Sequence, residues 1–129
     1  MRLLLDTNIL IPIARVRLAD LSRSTLRAIS DPGNVLFASI ASLWEIAIKA
    51  RIGKLDIKLD PSELPAHLTG YGIDLVVIEA AHVLAELEPR PDIEDLFDRL
   101  LLAQCQVENM RLVTVDRSLE GHPLVWRER

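Results

Sequence analysis

The chain is poor in the residues on which several common protein designs depend. Its 129 residues include one cysteine, Cys105, so no internal disulfide forms, and neither a CxxC nor an HExxH pattern occurs to hold zinc. Any metal would have to be held by oxygen. Aromatic residues number five, too few for stacking to dominate binding to nucleobases. No stretch approaches the roughly 20 apolar residues of a membrane-spanning helix. The acid Asp6 also arrives too early to leave a signal-peptide apolar region. These absences predict a soluble, cytoplasmic protein with no membrane partner.

What the sequence does have is apolar bulk, at 50% of its residues, which suits one compact domain over residues 1–129. The formal charge of −4 argues weakly against a nucleic-acid binder, but the charges are unevenly spread. Residues 1–58 carry nine Lys or Arg against five Asp or Glu, and residues 59–129 carry six against fourteen. The basic share, which includes Arg15, Arg17, Arg23, Arg27, Lys49, Arg51, Lys54 and Lys58, either follows a phosphate backbone or forms a solvated face.

Short β-type runs alternate with helical ones, with no repeat or long linker between them. The runs are RLLL at 2–5, VLFA at 35–38, DLVVI at 74–78, RLVTV at 111–115 and LVW at 124–126. Helical patterns fill about 8–31, 41–52, 61–70, 79–88 and 95–109. Strands that are apolar throughout and separated by helices predict an α/β fold of three layers, a mostly parallel sheet with helices on both faces. Ligands bind such sheets beyond the carboxyl ends of the strands. Asp6 ends the first run and Asp116 follows RLVTV, so two acids from opposite ends of the chain are expected on one rim.

Two more acids interrupt apolar patterns. Asp98 shares a helical stripe with Leu101, Leu102 and Cys105. The plain account is that Asp95 is the N-cap and Asp98 sits in the first turn, where the helix dipole favours a negative charge. Glu45 lies in SLWEIAIKARIGKL, a helix apolar nearly all round and expected to be buried. There Ser42 and Glu45 fit a capping box, and Glu45 and Lys49 fit an i,i+4 ion pair. Each acid alone has an explanation without function. Together they are costly, because two unpaired carboxylates roughly 4 Å apart repel by about 4 kcal/mol at an effective dielectric of about 20. A divalent cation resolves the repulsion, and oxygen-only ligation suits Mg²⁺ or Mn²⁺.

LLLDTNIL, SLWEIAIKARIGKL, EDLFDRLLLAQC and LVTVD, in this order and over nearly the whole chain, resemble the successive motifs of PIN-domain ribonucleases, in particular the toxins of VapBC toxin–antitoxin pairs. The resemblance implies a PIN-like fold and a Mg²⁺- or Mn²⁺-dependent endoribonuclease acting on RNA. It further implies a homodimer and a cognate antitoxin whose C-terminal segment reaches the pocket. Asp6, Glu45 and Asp98 match the three metal-binding acids of the family and Asp116 the fourth. Thr7 and Thr114 match small hydroxyl residues around the site, and Asn8 matches a residue that holds the turn. Two departures stand out: Leu96 replaces a proline before Phe97-Asp98-Arg99, and Val115 stands where arginine is frequent.

Other residues read more plainly. Cys105 is expected in the core, and His67, His82 and His122 on the surface or satisfied by neighbours, since no metal-ligand spacing relates them. Trp44 and Phe97 read as core or dimer contacts. Lys49 and Arg99 either pair with the neighbouring acids or contact phosphate. Two alternative functions remain open at this level. One is a non-catalytic interaction domain whose acids cap helices and pair with Lys49, Arg99 or Arg117. The other, disfavoured because Asn8 occupies the position of its second aspartate, is a haloacid-dehalogenase-like phosphatase.

Overall fold

Four short apolar runs pair into one parallel sheet with spatial order β3-β2-β1-β4: β1 (Arg2–Leu5), β2 (Val35–Ser39), β3 (Ile73–Val76) and β4 (Arg111–Val113). The computed structural model describes residues 1–128. β1 is central, in register with Val35–Phe37 on one side and with Arg111–Val113 on the other. Its side chains alternate across the sheet, as strand geometry requires. Leu3 and Leu5 enter one core with residues of helices α1 (Thr7–Ala14), α2 (Arg23–Ser30), α3 (Ile40–Arg51) and α4 (Leu64–Gly70). Leu4 enters the other with Leu101, Leu102 and Cys105 of helix α6 (Leu96–Glu108) and with Met110 and Leu112. With both faces covered, β1 can be apolar at every position. The expected α/β architecture is therefore present, and among the described residues no helix is long and apolar enough to cross a membrane.

Several boundaries differ from the sequence reading. The pattern over 8–31 divides after Ala14: Val16 takes a left-handed φ of 55°, a 3-10 turn follows at Leu18–Asp20, and Ser22 starts α2 by accepting from the Thr25 amide. Helix α5 (Ala80–Leu84) stops well short of residue 88, with Ala85 already extended. β4 ends at Val113, since the Asp116 amide turns back onto Thr114 Oγ1. LVW makes a single parallel bridge, Leu112 with Val125, instead of a strand. Helix α3 starts at Ile40, with Ser39 as its cap, so the Ser42–Glu45 capping box does not form. Nor is α3 buried all round: Ala41, Ser42 and Ile46 are covered, while Trp44 and Ile52 are exposed.

Candidate metal centre

Asp6 joins strand to helix. Its amide continues the sheet by donating to Val113 O at 2.9 Å, and its carbonyl accepts from the Ile9 and Leu10 amides to begin α1. Its side chain caps α1 through the Thr7 amide at 2.7 Å, and its second oxygen accepts from Thr114 Oγ1 at 2.6 Å. A residue bound this way has no freedom to turn its carboxylate outward, and Asp6 is only 4% exposed. Burial raises its pKa; the hydrogen bonds from Thr114 and Thr7 pull it down, and Glu45 and Asp116 push it up again.

The other three acids arrive from separate elements. Glu45 is half-buried on α3 and bridges Lys49 at 3.1 Å, the expected i,i+4 pair. Asp98 is half-buried in the first turn of α6, and its amide donates to the cap Asp95 at 3.1 Å, as the capping account requires. Capping is not the whole account of Asp98. Burial, followed by the charges of Asp95, Asp6 and Asp116, pushes its pKa up to about 7, and when protonated it donates to Asp116. Asp116 stands three residues past β4, held by the Ser118 amide and hydroxyl, which keep its own pKa below the usual carboxylate value.

The neighbouring residues complete the setting. Thr7 donates through Oγ1 to Ser42 Oγ at 3.0 Å, linking the first turn of α1 to α3 one turn before Glu45. Ser42 was legible only as a cap; its signal as a site neighbour was a small hydroxyl three residues before an acid on a helix that starts at a strand's carboxyl end. Thr114 serves twice, donating to Asp6 and accepting from the Asp116 amide. Asn8 is exposed on the first turn of α1. Arg99 does not pair with Asp98: its Nε donates to Ile93 O at 2.7 Å. His82, expected on the surface or satisfied by neighbours, is satisfied and buried, bonded to the Glu79 amide and to Glu108.

Asp6, Asp98 and Asp116 thus carry negative charge along the carboxyl edge of the sheet, and among the described residues no cationic side chain bridges any of the three. They do not form a closed cage. Among the described residues no three His, Cys, Asp or Glu side chains converge as a metal-holding group. An open rim of carboxylates suits an ion that keeps most of its waters and takes only one or two protein ligands directly, which is the habit of Mg²⁺. Asp6 and Asp98 are raised by burial first and by neighbouring carboxylates second, and the latter charge is what a hard divalent cation would neutralise.

An open parallel sheet with helices on both faces and acids at its carboxyl edge defines an α/β protein of three layers. The PIN domain family matches residues 3–122, and the chain belongs to that family. PIN domains are generally nucleases and generally use divalent metal ions. This membership removes the phosphatase alternative. No protein of curated function matches the chain in sequence. Among solved structures, it is similar to a toxin–antitoxin complex from Klebsiella pneumoniae, with 21% identity, TM-score 0.62 and coverage of 96% of this chain and 95% of that one. It is also similar to the VapBC2 complex of Rickettsia felis bound to a promoter DNA fragment, with 20% identity, TM-score 0.63 and coverage of 97% and 96%. At these identities the likeness is one of fold.

Proposed function

We propose that this chain is a VapC-type toxin, a metal-dependent endoribonuclease restrained by a protein antitoxin. The observation that carries this reading is the set of uncompensated acids, Asp6, Asp98 and Asp116, at the carboxyl edge of a PIN-domain sheet. Likeness of fold to two toxin–antitoxin complexes supports the antitoxin partner.

In this reading Asp6, Glu45 and Asp98 would hold Mg²⁺ or Mn²⁺, one or two of them directly and the rest through its waters, and Asp116 would either assist with a second ion or orient the attacking water. The bound ion supplies Lewis acidity toward the phosphodiester and acidifies water near it. The protein's own contribution is placement. Thr114 and the Thr7 amide fix both oxygens of Asp6, so that its remaining lone pairs point to a defined place. The Thr7–Ser42 bond sets α3, and hence Glu45, against α1. Ser118 keeps Asp116 ionised beside Asp98. Asn8 supports the turn from outside.

We further propose that the chain acts as one domain in the cytoplasm and as a homodimer. A cleft of about 680 Å³ between α5 and α6 is flanked by exposed Val83, Leu84 and Leu96 and carries both signs of charge, in Arg90, Arg99, Glu86 and Glu88. A surface that is apolar and bears both charges can be complementary to itself across a two-fold axis.

The test is cleavage of single-stranded RNA by the purified protein with Mg²⁺ or Mn²⁺. Activity should vanish in EDTA and fall to about 1% or less in Asp6→Asn. Full activity in EDTA would sink the metal reading, and absence of cleavage under all metals would leave the interaction-domain alternative.

A further inference from the structure

The sequence suggests that Trp44 is a core or dimer contact. The structure keeps it out of the core: the residue is 59% exposed, its ring edge-on to Phe97 with ring centroids 5.7 Å apart and planes at 61°. The exposure is not forced by the residue type, since Trp126, the other tryptophan, packs against the main core. Trp44 precedes Glu45 on α3 and Phe97 precedes Asp98 on α6. The two rings therefore meet where the two acid-bearing helices meet, and Phe97 holds the indole in place without covering it.

We propose that Trp44 is a platform on which an unpaired nucleobase of the RNA stacks, next to the acidic rim; this rests on the nuclease reading above. An acidic site on a chain of net charge −4 attracts a polyanion poorly. The basic residues one turn past Glu45 and next to Asp98 are engaged, Lys49 with Glu45 and Arg99 with a backbone carbonyl. A contact that does not depend on charge adds affinity close to the site, and stacking on an indole is such a contact. It demands a base free of a duplex partner, which selects single strands, loops and bulges.

The experiment is the binding of a fluorescein-labelled single-stranded oligoadenylate in EDTA, across a series of salt concentrations. Trp44→Ala should weaken binding on the order of five- to a hundredfold, and Trp44→Phe much less. The slope of log affinity against log salt should be the same in wild type and Trp44→Ala, because no phosphate contact is removed. In Trp126→Phe, where Trp44 is the sole indole, emission should be quenched by the oligonucleotide. Wild-type affinity in Trp44→Ala would overturn the proposal. So would a drop in sedimenting mass for that variant, which would make Trp44 a contact with a second copy of the chain. If the wild-type protein itself binds no RNA, the nuclease reading fails and this proposal falls with it; binding that ignores Trp44 removes this proposal alone.

Discussion

Two groups of polar side chains flank helix α6, and they are treated in opposite ways. On one side His82, 1% exposed, accepts the Glu79 amide at Nδ1 and donates from Nε2 to Glu108 at 2.9 Å, while Gln104 donates to Val77 O. One amide oxygen, on Gln104, is left without a partner. On the other side Asp6, Asp98 and Asp116 face one another; Thr7, Thr114 and Ser118 donate to two of them, but among the described residues no cationic side chain pairs with any. The first group is arranged as a structural network is, with donors matched to acceptors. The second retains charge that the fold does not neutralise. Burial and polarity are common to both, so neither distinguishes them; the unneutralised charge does, and it makes the second group the functional-site candidate.

The comparison can be broken most sharply by metal. Saturating Mn²⁺ should raise the melting temperature of the wild-type protein, by about 2.7 kcal/mol of stability at a hundred times the dissociation constant. In Asp6→Asn the gain should disappear while the fold persists, because asparagine remains a competent helix cap. Calorimetry with and without the ion decides it.

The first group should respond in the reverse sense. His82→Ala removes the acceptor of a backbone amide and the partner of Glu108, and should cost about 2–3 kcal/mol. Urea denaturation would show the loss, and RNA cleavage per folded molecule should be unchanged. A variant that kept its stability but lost cleavage would reverse the assignment of the two groups.

Acidity separates the groups more finely. Asp98 has a pKa raised from 3.8 to about 7 in the native protein. A raised native value means that its contribution to stability is complete below about pH 4 and is lost as the pH climbs through about 7. In EDTA the stability of the wild-type protein should therefore decline over that window on account of this residue, and Asp98→Asn should flatten the decline. Thermal melts at a series of pH values in chelator provide the measurement. The smallest effect is expected from Lys49→Met: its pair with Glu45 is partly exposed, and its loss should change stability by less than about 1 kcal/mol.

The strand runs and the order of layers were legible because each β run is apolar at successive positions, which only a sheet covered on both faces accommodates. Asp6 was legible for the same reason, as a charge placed directly after three leucines. Asp98 was harder, because helix capping explains it well from sequence; only three-dimensional proximity to Asp6 and Asp116 reveals that its position is electrostatically costly. Ser42 was misread, since the start of α3 depends on where β2 ends and not on local capping preference. The exposure of Trp44 was hidden from periodicity, because α3 reads as apolar all round and its partner Phe97 lies over fifty residues away.

Asp6 donates its amide to β4 and gives its carbonyl to α1. These bonds tie Asp6 to the end of an inner strand, to the neighbouring edge strand and to the first turn of a helix at once. The carboxylate is consequently attached to a junction of three elements. Thermal motion can loosen the loops around the rim without displacing it, and an inhibitor has no softer state of this residue to capture: it must block access or compete for the same charge.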